Sequence, residues 1–128
     1  MSKHNQTLGR LGEEYVQTYL KKQGFSILEA NYRTSFAEID IIAQKEDLIA
    51  FVEVKTRESS AFGEPFEAVT KSKQRSIRNA ATIYMLGHED KYASLDVAEV
   101  FATVTRDERT GRAGLDVLDF NYIESAFV

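Results

Sequence analysis

From Leu8 to Gln23 the apolar residues Leu8, Leu11, Tyr15, Val16, Tyr19 and Leu20 recur at helical spacing, with Lys21 and Lys22 in the last turn and Gly24 as the stop. Gly12 falls mid-way along that apolar arc, which predicts close approach to another element. Residues 1–7 are polar and read as a disordered tail. From Phe25 to Tyr32 the period shortens to that of a strand, and its phase slips near Leu28-Glu29, as at a bulge or an edge. Two further strands, 38–44 and 48–57, flank Lys45-Glu46-Asp47 and predict a hairpin turning at Glu46-Asp47. The stretch 58–64 reads as a loop, and Pro65 as a turn or the entry to a helical turn. Thr70 can cap a helix running to about Leu86, stopped by Gly87, with Ile77, Ala80, Ala81 and Tyr84 as its apolar face. Leu95–Val104 and Leu115–Tyr122 are strands joined by a polar turn from Arg106 to Gly114, and Ile123–Phe127 is expected to close the chain with a helical turn. The order αβββαββ predicts one α/β (α+β) domain spanning 1–128, a mixed central sheet flanked by helices.

Composition narrows the class. A length of 128 residues allows one domain with a core, and 43% hydrophobic with 28% charged residues is ordinary for a globular protein. There is no cysteine, hence no disulfide framework and no thiolate metal site. No apolar run approaches the roughly 20 residues that cross a bilayer, and the start lacks the apolar core of a signal peptide, so the expected address is cytoplasmic with no membrane partner. A net charge of -4 counts against an abundant, non-specific nucleic-acid binder, whose domain is normally strongly basic. It does not count against a nucleic-acid enzyme, because catalytic carboxylates themselves lower the charge.

Three ionisable groups interrupt the hairpin. Strand side chains alternate between faces, so Asp40 points away from Ile39 and Ile41, while Glu53 and Lys55 share the face opposite Val52 and Val54. Charges are rarely buried in a sheet unless paired or bound to a metal. Phosphodiester hydrolysis needs phosphate charge neutralised, a water activated and a leaving oxygen stabilised, and Mg²⁺ or Mn²⁺ on carboxylate oxygens serves all three. If the two strands pair, Asp40 and Glu53 project toward one point, the backbone carbonyl of Val54 is an additional metal ligand, and Lys55 lies within reach of the reacting water. Glu13 sits at the edge of the first helix's apolar arc and can face the core rim, though a solvated helix-start carboxylate explains it equally well. On the second helix Lys73 and Gln74 reach over the sheet rim, and Lys71, Arg75 and Arg78 form a solvent-side basic stripe, which is an ordinary solvated face or a surface for a nucleic-acid backbone. A structural salt bridge is the bland alternative for the carboxylate–lysine set.

The combination of Asp40, twelve intervening residues, then Glu-x-Lys resembles the PD-(D/E)XK, or restriction-endonuclease-like, nuclease superfamily. G-R-L-G-E (9–13), A-E-I-D-I-I-A (37–43), F-V-E-V-K-T-R (51–57), F-G-E-P-F-E-A-V-T (62–70), K-Q-R (73–75) and I-E-S-A-F (123–127) are similar to the YraN family of uncharacterised bacterial proteins. Ile39 stands where the superfamily motif has Pro, and Ala37 where the YraN pattern usually has Gly. The resemblance implies a restriction-endonuclease-like core with Asp40, Glu53 and Lys55 as active-site positions and Glu13 as the first-helix carboxylate. It also implies that Lys73 and Gln74 correspond to the second-helix polar positions, and a metal-dependent nuclease acting on DNA is the first hypothesis. Archaeal Holliday junction resolvases are the superfamily members this layout resembles most. That likeness implies branched or structured DNA and a two-fold homodimer, for which Phe62 or Phe66, equally readable as core, is a candidate contact. Two other readings stay open from the residues alone: a non-catalytic nucleic-acid-binding module using the Lys71–Arg78 face, and a protein-interaction domain whose charged cluster is structural.

Overall fold

A computed structural model describes residues 2–58 and 66–127 of the chain. Helix α1 (Lys3–Lys22) is followed by strands β1 (Ser26–Arg33), β2 (Glu38–Lys45) and β3 (Leu48–Glu58). Helix α2 (Lys71–Met85) and strands β4 (Tyr92–Arg106) and β5 (Ala113–Ile123) complete the order αβββαββ. The five strands form one sheet in sequence order. Only the β3–β4 pair is parallel, with α2 as its crossover, so the sheet is mixed, as the pattern predicts.

The two helices cover opposite faces. Val16 and Leu20 of α1 pack on Ile41, Ala43, Val52, Ala98 and Val100, while Ala80 and Ala81 of α2 pack on Ile42, Ile49 and Phe51. The phase slip near Leu28-Glu29 is a bulge: the β1–β2 register shifts between Ile27 and Glu29. The hairpin turns at Glu46-Asp47, closed by the Lys45–Leu48 pair, with Glu46 at φ 55°. No helix among the described residues is long and apolar enough to cross a membrane.

Two end segments differ from expectation. Residues 3–7 are not a tail but the first turns of α1, because the Ser2 hydroxyl accepts from the Asn5 N–H at 3.1 Å and caps the helix. Hydrophobic periodicity is silent there because this turn projects past the core. Ile123–Phe127 is not a helical turn either. Ser125 takes φ 49°, and the Ala126 N–H returns to the Leu95 carbonyl at 2.8 Å. The pin is Asp96, 2% exposed, which accepts from the Tyr122 hydroxyl (2.5 Å), the Ser94 hydroxyl and the Ser125 N–H. Burial first, then the hydrogen bond to Asp96, push the Tyr122 phenol far above its usual range. The loop expected at 58–64, with Pro65 and Phe62, lies outside the described residues apart from Glu58, which ends β3.

Gly12 makes the close approach that its place on the apolar arc predicts. A Cβ there would stand 1.9 Å from Thr56 Oγ1 and 2.9 Å from Thr56 Cβ, so α1 rests directly on β3. Gly12→Ala is therefore expected to lower stability by about 1–3 kcal/mol through overpacking. Thermal unfolding of the variant checks this, and an unchanged midpoint would show that the helix yields freely.

Candidate active site

The β2–β3 ladder stops at the Ile41–Val52 pair, although both strands run on. The next hydrogen-bonded step would join Ile39 to Val54. Instead the Val54 N–H donates to Asp40 Oδ2 at 2.7 Å, so a side chain takes the place of a backbone rung and the strands fork. In that register Asp40 lies opposite Glu53, and opposite residues project to the same face. It is the α2 face, shared with Ile42 and Phe51. Within a strand one residue's N–H and C=O point to the same side. The Val54 carbonyl therefore also faces the Asp40 side of the fork.

The charge at the fork is dense and unbalanced. Glu53 is 8% exposed, and its Oε1 accepts from Lys73 Nζ at 2.6 Å. Burial pulls the Lys73 ammonium down, but the hydrogen bond to Glu53 and the fields of Glu53, Asp40 and Glu38 outweigh it and leave its pKa raised. Asp40 goes the other way for a carboxylate. Burial first, then repulsion by Glu53, raise its pKa from 3.8 to about 7, against the opposing Val54 hydrogen bond. Glu13 of α1 joins the set: burial, Glu38 and Glu53 raise its pKa, while a hydrogen bond from Asn31 opposes them.

Asn31 is the residue that sequence reasoning missed. It lies in β1 between the Ala30–Ile41 and Tyr32–Ile39 pairs, hence across from Asp40, and adopts φ 53°. Oriented to satisfy both ends, its amide donates to Glu13 Oε1 at 3.0 Å and Glu38 Oε1 at 3.2 Å. Asn tolerates left-handed backbone better than most residues, and strained positions of this kind gather at functional sites. The available signal was an Asn inside an otherwise regular strand.

Two clefts meet at the fork. One, of about 330 Å³, is lined by Phe36, Ala37, Glu38, Asp40, Glu53 and Lys73, with Ser76. The other, of about 870 Å³, runs along β3 from Glu53 to Glu58, between α1 and the Phe66-Glu67 segment. Glu53 and Lys73 belong to both. Burial at the fork is thus partial, and the carboxylates look into open space.

The remaining candidates are dispersed. Lys55 lines the larger cleft, but its ammonium donates to the Glu67 carbonyl, and the cation facing the carboxylate pair is Lys73. The cause is position: Lys55 lies two residues further along β3, beside the chain that returns toward α2. Gln74 is turned away too, donating to the Val69 carbonyl at 2.9 Å. Lys71 and Arg75 are exposed, whereas Arg78 is half-buried beside Met85 and Leu95. The basic stripe is therefore shorter than its spacing predicts. Phe66 packs within the chain, with its ring centroid 4.5 Å from that of Phe101 and the Arg57 guanidinium over it at 5.5 Å.

The fork suits a hard divalent cation. No three His, Cys, Asp or Glu side chains form a metal cage among the described residues. Magnesium nevertheless needs only one or two carboxylates and keeps several waters. Asp40, Glu53 and the Val54 carbonyl are an all-oxygen donor set of that kind. The electrostatics point the same way: Asp40 lies across from Glu53, whose Oε1 holds the Lys73 ammonium, and burial with repulsion by Glu53 pushes the Asp40 carboxyl up to about 7. An added cation relieves that repulsion.

The sequence model of the uncharacterised protein family UPF0102 matches residues 12–100. A UPF0102 protein of Dictyoglomus thermophilum is 38% identical over 126 residues, covering 97% of this chain and 99% of its own. UPF0102 proteins of Clostridium perfringens and Alkaliphilus oremlandii are each 49% identical, over 104 and 100 residues, covering 78% and 75% of this chain and 84% and 86% of their own.

Proposed function

The chain belongs to the uncharacterised protein family UPF0102, and we propose that it is a metal-dependent nuclease that hydrolyses phosphodiester bonds of DNA at the β2–β3 fork. The observation carrying this reading is the apposed pair Asp40–Glu53, undercompensated by charge and open to two clefts. A purely structural ion pair does not need a second carboxylate held against the first. The D…E-x-K resemblance supports the same reading.

Asp40, Glu53 and the Val54 carbonyl are the residues to hold Mg²⁺ or Mn²⁺. The ion, when bound, supplies Lewis acidity toward a phosphate oxygen and a more acidic water. The chain's own groups do the rest. The Val54 N–H fixes the Asp40 carboxyl, so its free oxygen has one orientation. Lys73, whose ammonium stands at Glu53, would offer positive charge to the phosphate oxygens as negative charge grows on them. Lys55 stands one step down the larger cleft, where it can contact the neighbouring phosphate. Asn31 steadies Glu13 and Glu38 at the rim.

The test is a panel of single-stranded, duplex and branched DNA and of RNA, incubated with Mg²⁺, Mn²⁺ or EDTA. Cleavage of DNA in Mn²⁺ and none in EDTA is the expected result. No cleavage of any substrate with either ion would overturn the reading. One observation favours a second reading, a binding module without catalysis: Lys71 and Arg75 remain exposed on α2. Binding of that kind falls steeply with salt and ignores Mn²⁺, whereas the nuclease needs the ion.

A further inference from the structure

Helix α1 carries two glycines that differ in what the fold asks of them. Gly12 is explained by Thr56, which leaves no room for a Cβ. Gly9, one turn earlier, is not explained this way: among the described residues, a Cβ built there meets no atom within 4 Å. A glycine inside a helix lowers its stability relative to alanine, so packing gives Gly9 no reason to be glycine. What Gly9 does face is the larger cleft. Asn5, Gly9 and Glu13, at i, i+4 and i+8, line one wall of that space and lead to Glu53.

The opposite side of the space has its own unexplained feature. Past Val52, β2 gives β3 no partner, while β4 pairs with the other edge as far as Glu58. Backbone groups alternate along a strand, so Thr56 and Glu58 point their N–H groups the same way as Val54, toward the side that β2 has left. Val54 finds Asp40 there. Thr56 and Glu58 line the cleft; the Glu58 carboxylate meets the His4 ring there, and the Thr56 hydroxyl is buried under Gly12 with no hydrogen-bond partner among the described residues. Backbone N–H groups are common donors to phosphate oxygens.

We infer that the α1 face at Asn5 and Gly9, with the β3 edge at Thr56 and Glu58 across from it, seats the sugar–phosphate strand that runs into the Asp40–Glu53 pair. This rests on the nuclease reading and says where the substrate lies. Gly9 is the point where the strand crosses the helix, and its missing side chain is the room the strand occupies. Charge sets a condition. Glu13, Glu53, Glu58 and Glu67 face the same cleft as Lys55, Arg57 and Lys73. A polyanion is therefore admitted once a divalent ion has neutralised the carboxylates at its end.

The experiment is fluorescence anisotropy with a labelled single-stranded oligodeoxynucleotide, in Ca²⁺ and in EDTA, on the parent protein, Gly9→Ala and Gly9→Leu, with melting temperatures for each. Neither substitution is expected to lower the melting temperature, since both residues favour helix and no atom of the described residues stands within 4 Å of a Cβ at this position. Affinity in Ca²⁺ is expected to fall severalfold for Gly9→Ala and about tenfold or more for Gly9→Leu, a loss of one or more powers of ten in Kd. Unchanged affinity of Gly9→Leu overturns the inference and leaves the nuclease reading standing. A lower melting temperature for Gly9→Ala overturns it too, by showing that the glycine serves packing. A parent protein that binds no oligonucleotide in Ca²⁺ removes the nuclease reading and this inference together.

Discussion

Asp40→Asn is expected to reduce Mn²⁺-dependent DNA cleavage by about a thousandfold or more, as befits loss of a charged metal ligand. The same substitution should make the protein more stable at pH 8. The Val54 N–H keeps an acceptor in the Asn amide oxygen, while the repulsion against Glu53 disappears. The sign follows from the raised pKa. Below about pH 4 Asp40 is protonated in both the folded and unfolded chain, so its contribution is intact. As pH rises from 3.8 toward about 7 the unfolded chain releases this proton while the folded chain retains it. Stability is therefore lost with rising pH across that window, and above it the folded state carries the full repulsion. Burial and coupling to Glu53 limit the recoverable amount to about 1–2 kcal/mol, or several degrees in melting temperature. Melting curves of parent and variant from pH 5 to pH 8 check this: the difference should grow toward pH 8. A variant that is less stable than the parent at every pH would mean that Asp40 is there to hold the fold.

Lys73→Met carries the second large effect, and its direction is opposite. Among the described residues Lys73 supplies the ammonium hydrogen-bonded to Glu53, and its removal leaves two carboxylates facing each other. Breaking a buried pair by deleting one partner costs several kcal/mol, but the Lys73 side chain is 53% exposed, so about 1–2 kcal/mol is the expected loss in metal-free protein. Mn²⁺ should restore most of it, because the ion replaces the missing positive charge at Glu53. Cleavage should still fall, since the ammonium is absent when charge grows on the phosphate. The check is a melting titration with Mn²⁺: the variant's midpoint should rise by more than the parent's. Equal shifts for both proteins would separate Lys73 from the ion's site.

Much of this was legible in the chain. The element order, the bulge at Leu28-Glu29, the turn at Glu46-Asp47 and the tight contact at Gly12 all follow from period and phase, which local sequence encodes. The apposition of Asp40 and Glu53 followed too, because a two-residue hairpin fixes register and register fixes facing pairs. What sequence did not carry were the choices made by long side chains and by irregular backbone. Lys55 was the expected cation for the pair, and Lys73 was expected only to reach over the sheet rim. Only the path of the chain between β3 and α2 turns Lys55 onto the Glu67 carbonyl and lets α2 deliver Lys73. Asn31 needed the knowledge that β1 lies across from Asp40 with a left-handed residue at that point. Ser2 and Ser125 act through local hydrogen bonds at chain ends, where no periodic signal exists.

Calorimetric titration of Mn²⁺ into the metal-free protein, the Asp40→Asn variant and the Asp40→Asn, Glu53→Gln double variant addresses the fork itself. One ion per chain should bind the parent, with proton release near pH 7 as Asp40 gives up its proton, and heat should be lost in the double variant. Equal binding by all three proteins, or none by the parent, would contradict an ion site between β2 and β3.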